Sequence, residues 1–385
     1  MKYMWMIIFF ILPIIGLGYT LWHIWQMLPF SAPWRWTTVS VATLLFASMF
    51  LIFSNTIERM PLNMACITYE IGTSVIFILL YLVMTFLMLD LGRLAHAIPK
   101  PWLHSNVYTT IGIAIAMAAI FGYGNMRYNN KVRVASSITT KKHFALDTLA
   151  DRTAKKAEIK IVLMSDLHLG YHNRKQEFRR WIDMINAEQP DIILIAGDII
   201  DISVRPLLEE QVAKDFHLFK APIYACLGNH EYYSGEPKAQ RFYEEAGIQL
   251  LRDSVATIGD GSGTTGRLCI IGRDDRSNPH RKPLSQIVSQ ANINRENDFT
   301  ILLDHQPYNL EEAEENGIDF QFSGHTHHGQ VWPISWITDA IYEDAFGPLQ
   351  KGSTKYYVSS GMGIWGGKFR IGTQSEYLVL TISQH

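Results

Sequence analysis

Ile159-Lys160-Ile161-Val162-Leu163-Met164-Ser165-Asp166-Leu167-His168-Leu169-Gly170 decides how the second half of this chain folds. Its first six residues form a mainly apolar run of strand length. The run stops in an aspartate and a histidine two residues apart, then a glycine. A strand that ends this way can aim a carboxylate and an imidazole at one point. The pair gains meaning only if later strands end alike.

They do. Residues 174–186 read as a helix with Trp181, Ile182 and Ile185 on its apolar side. Residues 191–196 read as the next strand, ending in Gly197-Asp198-Ile199-Ile200-Asp201. A helix over 206–219 and a strand over 223–227 follow, the strand ending in Gly228-Asn229-His230-Glu231. This alternation predicts an α/β domain with parallel strands, in which ligands gather outside the strands' carboxyl ends. Residues 238–246 read as a further helix. Residues 259–266 read as a turn between antiparallel strands, the second over 267–272. Residues 299–303 lead into Asp304-His305-Gln306-Pro307, and a helix over 308–315 comes next. Residues 318–322 lead into Ser323-Gly324-His325-Thr326-His327-His328-Gly329, and strands over 355–359 and 376–382 close the chain. Mixed order with hairpins predicts a β-sandwich of two mixed sheets flanked by helices.

Seven candidate metal ligands thus stand at the ends of apolar runs: Asp166, His168, Asp198, Asn229, His305, His325 and His327. Carboxylates with imidazoles and no thiolates suit two divalent first-row ions such as Mn, Fe or Zn. Seven ligands exceed the needs of one ion and suffice for two if Asp198, on the middle strand, bridges.

Asp166-x-His168, Gly197-Asp198-x-x-Asp201, Gly228-Asn229-His230-Glu231, His305 and Gly324-His325-x-His327 occur in this order. Together they resemble the five blocks of the calcineurin-like metallophosphoesterase superfamily, over residues 159–385. Ser165 to Gly170, Leu303-Asp304-His305-Gln306-Pro307, and Gly361-x-Gly363 with Arg370 further resemble its membrane-tethered bacterial branch. That branch includes phosphodiesterases and UDP-2,3-diacylglucosamine pyrophosphatase-like enzymes. The usual Gly-Gly-Gln after the last block is His328-Gly329-Gln330 here, a departure at the rim of the centre.

The resemblance implies one metal on Asp166, His168, Asp198 and His327, and a second on Asp198, Asn229, His305 and His325. It implies catalytic roles for His230, facing the scissile phosphate, and for Asp201 or a neighbouring carboxylate, fixing the His230 imidazole. Two ions about 3.5–4 Å apart lower the pKa of a shared water and clamp phosphate oxygens for in-line attack. His230 then stabilises developing charge or protonates the leaving oxygen. Monoester, diester and pyrophosphate cleavage share these demands. Substrate choice falls to the rim, where His172, Asn173, Arg174, Tyr232, Arg273, Asp274 and Arg370 are candidates. The aromatic stretch from Val331 to Ile337, with Trp332 foremost, reads either as a lip for acyl chains or the interface, or as a structural cap.

The first 124 residues belong to another solvent regime. Apolar segments over 4–28, 38–57, 71–91 and roughly 108–123 have, or nearly have, the ~20 residues of a spanning helix. The separators carry the Pro, Trp and charged residues expected at interfaces. Trp22, Trp25 and the lack of a small-residue cleavage site argue that the first is retained, not a signal peptide. Lys2, Arg59, Arg127, Lys131 and Arg133 fall on one side, against Arg35, Arg93 and Lys100 on the other. The positive-inside rule then places both termini and the catalytic domain in the cytoplasm, on a bacterial inner membrane. Asp90 and Glu70 lie near segment ends, and no string of polar residues marks a transport path. Residues 125–158 read as a basic connector with a short strand over 132–135 and a helix-like stretch over 142–153.

The net charge of −2 argues against a nucleic-acid surface. Cys66, Cys226 and Cys269 form no metal-binding or disulfide pattern. The expected function is therefore a membrane-anchored, two-metal phosphoric ester hydrolase. Its expected partners are membrane lipids and a phosphorylated small molecule or lipid at the bilayer. Soluble diesters or nucleotides are the alternative substrates, and a non-catalytic metal-binding scaffold is the alternative class. Oligomeric state has no signature in the sequence.

Overall fold

The computed structural model describes residues 11–52, 54, 56–144, 158–259 and 266–384. The chain divides into two compact units: residues 1–126 with 366–369, and residues 127–365 with 370–385.

The first unit is built from α1 (Leu12–Met27), α2 (Ala32–Ile52), α3 (Leu62–Leu94) and α4 (Val107–Asn129, whose last turn passes into the second unit). Helices α2, α3 and α4 are long and apolar enough to cross a membrane. This makes the chain a multi-pass membrane protein. The described part of α1 is 16 residues long, and the start of the first expected span lies outside the described residues. The second span stops earlier than expected, with Ile57 in a short 3-10 turn, and α3 is longer, at 33 residues. Asp90 does have partners: its Oδ2 accepts from the Tyr19 hydroxyl at 2.8 Å and lies 3.0 Å from His23 Nε2. Tyr19 and His23 are four apart on α1 and so share a face. Phe369, in the short stretch that joins this unit, meets Phe121 edge-on at 4.8 Å.

The second unit is a sandwich of two six-stranded sheets. Its strands are β1 (Lys131–Thr140), β2 (Glu158–Met164), β3 (Ile192–Ala196), β4 (Ile223–Cys226), β5 (Gln249–Leu250), β6 (Ser254–Ile258), β7 (Leu268–Gly272), β8 (Phe299–Leu303), β9 (Phe320–Ser323), β10 (Gly347–Lys351), β11 (Thr354–Val358) and β12 (Ser375–Gln384). The sheet orders are β1-β12-β2-β3-β4-β5 and β10-β11-β9-β8-β7-β6. Strands β2 to β5 run parallel, as do β7, β8, β9 and β11. Hairpins add β6 and β10 at the edges of the second sheet.

Period-2 alternation decides which layer each residue enters. Ile161, Leu163, Ile192 and Leu194 meet Leu268, Ile270, Ile301 and Phe322 between the sheets. Their neighbours Val162, Met164, Ile193 and Ile195 face outward onto α5 (Lys175–Ala187) and α6 (Glu236–Glu245), through Phe178, Trp181, Phe242 and Tyr243. On the other side, Ile271 and Leu302 pack on α7 (Leu284–Gln290).

Four local expectations change. The short strand near 132–135 is ten residues long, and Lys131–Thr140 pairs with β12 along its whole length. The helix over 206–219 is two short helices, Arg205–Glu209 and Ala213–Phe216, separated where Gln211 takes a φ of 55°. The aromatic stretch after the last histidines enters a helix, α8 (Ile334–Ile341). Of the helix-like stretch over 142–153, residues 142–144 are not helical and the rest lies outside the described residues, as does most of the 259–266 turn.

Candidate metal centre

Strands β2, β3, β4, β8 and β9 all deliver side chains to one place from their carboxyl ends. His168 Nε2 lies 3.0 Å from His327 Nε2 and 3.7 Å from Asp198 Oδ2, and His327 Nε2 lies 3.4 Å from Asp166 Oδ1. On the other flank of Asp198, His305 Nε2 is 3.1 Å from its Oδ2 and 3.2 Å from Asn229 Oδ1. His325 Nδ1 is 2.7 Å from that same Asn229 oxygen. Among the described residues, three sets are compact enough to hold a cation: Asp166 with His168 and His327, His168 with Asp198 and His230, and Asp198 with His305 and His325. Asp198 and His168 each belong to two.

The backbone pays for this convergence. Asp166, His168, Asp198, His325 and His327 all have φ between 44° and 72°, a region that side chains other than glycine seldom adopt. Glycines make the close approaches. A Cβ on Gly228 would stand 2.2 Å from Asp198 Oδ1, and one on Gly324 would stand 2.3 Å from Asp166 Oδ2. His328 has a φ of 47°; its ring stacks on Phe346 at 4.7 Å and its Nε2 lies 3.4 Å from Asp339.

A surrounding layer holds these groups in position. His305 Nδ1 donates to the Ala196 carbonyl at 2.7 Å, which fixes the ring with Nε2 toward Asp198. Asp201 Oδ1 lies 3.4 Å from His168 Nδ1 and 3.2 Å from His230 Nδ1, so one carboxylate orients both rings. Glu231 accepts from the backbone N–H groups of Asp198, Gly228 and Ile200 and ties two strand ends together. Sequence reasoning gave Glu231 no role; its place four-square in the Gly-Asn-His-Glu block was the available signal.

Electrostatics split the imidazoles. Despite burial, Asp198 and the Asp201 hydrogen bond push His230 up to about 9, and Asp198 holds His305 well above its ordinary value. Burial, with the neighbouring cationic His305, lowers His325 to about 3. His327 is also depressed, by burial and by His168 and Arg370. Asp198 stays ionised because, against the penalty of burial, His305 and His230 draw its carboxyl well below the usual range. Burial, and behind it the Asp198 charge, pushes Asp166 up. Two buried carboxylates beside the neutral imidazoles of His325 and His327 form a donor set that divalent cations satisfy.

The rim candidates separate. Arg370 is fully enclosed and donates to the carbonyls of His327, Ser360, Gly361 and Gly363. Burial lowers it to about 10. Its donors point inward and support the His327 loop. Arg273 is likewise buried, paired with Asp304 at 3.1 Å and Glu312 at 2.8 Å. Asp274 accepts from Tyr232, Arg252 and Asn278. In both, the charge is matched inside the fold. His172 and Asn173 are buried too, and Arg174 pairs with Glu210. Trp332 remains 40% exposed, edge-on to Trp336 at 5.3 Å.

Comparison with known proteins meets the same residues. The sequence profile of the calcineurin-like phosphoesterase family matches residues 159–329. A metallophosphoesterase of Aquifex aeolicus is 30% identical over 239 residues, which cover 60% of this chain and 88% of that one. The chain belongs to the calcineurin-like phosphoesterase family. A Campylobacter jejuni metallophosphoesterase is 31% identical over 236 residues, 59% of this chain and 60% of the relative. A zebrafish (Danio rerio) transmembrane protein with metallophosphoesterase domain is 30% identical over 243 residues, 59% of this chain and 53% of its own. The chain thus spans about 60% of the Campylobacter relative's length.

Proposed function

We propose that this phosphoesterase is a metal-dependent hydrolase that cleaves a phosphoester or pyrophosphate bond of a lipid-linked substrate at the membrane surface. The observation that carries the reading is the convergence of seven ligand-type side chains from five strand ends, with His230 alongside. Asp166, His168, Asp198 and His327 would hold one cation, and Asp198, Asn229, His305 and His325 the other. Bound there, divalent ions such as Mn, Fe or Zn supply Lewis acidity and a water acidified toward neutral pH. Asp201 holds His230 through Nδ1, so the ring presents Nε2–H to developing negative charge or to the leaving oxygen. Arg370 and Glu231 keep the loops that carry His327 and Asp198 from relaxing.

The lipid preference rests on α8 and its approach. Trp332, Trp336, Ile337 and Ile341 are all at least 40% exposed and follow directly on His327 and His328. An aromatic and aliphatic strip in a chain with candidate spans suits acyl chains or the interface. The branch that includes UDP-2,3-diacylglucosamine pyrophosphatase-like enzymes shares this substrate chemistry. Steady-state assays of the full-length protein against a diacylated sugar nucleotide and a chromogenic diester test the reading. We expect Trp332→Ala with Trp336→Ala to raise KM for the acylated substrate severalfold and leave the diester unchanged. Turnover of soluble nucleotides with the acylated substrate ignored would contradict it.

A further inference from the structure

Tyr128 lies one residue before the end of α4 and outside the segment that matches the family profile. It is wholly enclosed within the phosphoesterase unit. Its hydroxyl meets Oδ1 of Asn173 at 2.7 Å and Oε1 of Glu177. The ammonium of Lys131 lies 3.5 Å over its ring.

Asn173 connects this tyrosine to the metal centre. Its Nδ2 donates to the carbonyls of Leu167 and His168, both at 3.0 Å, and to that of Ile364 at 3.2 Å. The amide has two ends, and Tyr128 faces the oxygen end. Turning the amide over would set its carbonyl against three backbone carbonyls and forfeit every one of those bonds. The three carbonyls select the sense of the amide that clamps residues 167–168, and the Tyr128 hydroxyl, its one proton shared between Asn173 and Glu177, supports the oxygen end in that sense. The clamp acts where strain is stored, since His168 has a φ of 44°. The backbone of the next turn reinforces it, with Gly170 N–H donating to the Asn173 carbonyl at 3.1 Å. The His168 ring, oriented at the other end by Asp201, then faces His327 and Asp198.

We propose that Tyr128 is a positioning residue for the His168 side of the centre, acting through Asn173. The proposal rests on the two-metal reading of the site. Residues this far from a ligand act by holding it, and outer-layer partners of metal ligands are typically worth 10–100-fold in affinity.

The test uses purified full-length protein and Mn²⁺ or Co²⁺ alone as the probe. Tyr128→Phe removes one oxygen and leaves the ring. It is expected to raise one of two Mn²⁺ dissociation constants about tenfold or more, and to change the Co²⁺ visible absorption of that site. The other constant should stay within about twofold, since Asn229, His305 and His325 are untouched. Asn173→Ser should weaken the same ion at least as much, and it carries the test if Tyr128→Phe does not fold. Tyr356→Phe is the control, because that buried hydroxyl on β11 donates to the Leu310 carbonyl and bonds no residue of the Asn173 clamp. It should lower the unfolding temperature without moving either metal constant.

A Tyr128→Phe protein that loses thermal stability, or nothing, while both Mn²⁺ constants and the Co²⁺ spectrum stay unchanged would overturn the proposal. So would a wild-type protein that binds no pair of ions. If the wild type binds two ions and Tyr128→Phe loses one, yet neither hydrolyses a phosphoester, the catalytic reading fails and the positioning role stands.

Discussion

Leu44, Leu94 and Ile115 of the helical unit leave 63–76% of their surface uncovered, while Leu163, Ile270 and Leu380 of the sandwich are wholly enclosed. The side chains are alike and the fates opposite. In the sandwich, alternation along each strand turns apolar groups to a core on either face of a sheet. In the helical unit, apolar groups point all round, which is stable only where the surroundings are themselves apolar. Within the phosphoesterase unit the rule lapses at α8, whose Trp336, Ile337 and Ile341 are more than half exposed. An apolar strip on an otherwise ordinary soluble surface marks a place of contact.

The sharpest way to test the comparison is to truncate an enclosed residue. Ile270→Ala leaves a void between the sheets and should cost about 2–5 kcal/mol, read as a lower unfolding temperature of the phosphoesterase unit. Next comes a matched pair of exposed residues. Ile115→Asp, in the middle of α4, should cost about 2.5–3.5 kcal/mol of insertion and reduce the membrane-recovered fraction. Leu218→Asp, on a residue also more than half exposed, should stay within about 0.5 kcal/mol in unfolding. Equal effects of the two would break the comparison, because exposure would then mean water in both units.

A smaller effect sharpens the sandwich side. Burial lifts the Asp344 carboxyl to about 6, and its Oδ2 finds no hydrogen-bond partner among the described residues. With its folded pKa above the unfolded value near 3.8, the stability it lends is full below about pH 4. That stability is lost as pH rises through about 6. Asp344→Asn should therefore raise the unfolding temperature at pH 8 and change little at pH 4. A gain that is the same at both pH values would show that the carboxyl is not held neutral by the fold.

What was legible in the sequence follows the same physics. Ligand-type residues at strand ends can be read because a strand's direction is set by its own apolar run, and Asp166, Asp198, Asn229, His305 and His325 each follow one. The spans can be read because length and apolarity suffice. The partners of the charged rim residues are not legible, because charge does not announce its partner. Arg273 finds Asp304 and Glu312, and Arg370 finds the His327 carbonyl and those of Ser360 and Gly363, contacts that only the folded chain makes. Strand β1 looked shorter than it is because an edge strand with Ser136, Ser137, Thr139 and Thr140 lacks an apolar run; its pairing with β12 makes it. Helix α8 was hidden behind Pro333 and a crowd of aromatics with no clear period.

The central claim is that the five strand ends build one two-metal hydrolytic centre with Asp198 shared between its halves. Metal content and turnover of a chromogenic phosphodiester, measured together on full-length protein and its Asp198→Asn variant, test it most directly. The account predicts two divalent ions per wild-type chain. The variant should keep fewer, with a rate lower by more than about 100-fold, since a shared ligand outweighs an outer-layer partner. Two ions retained and turnover unchanged in Asp198→Asn would contradict it.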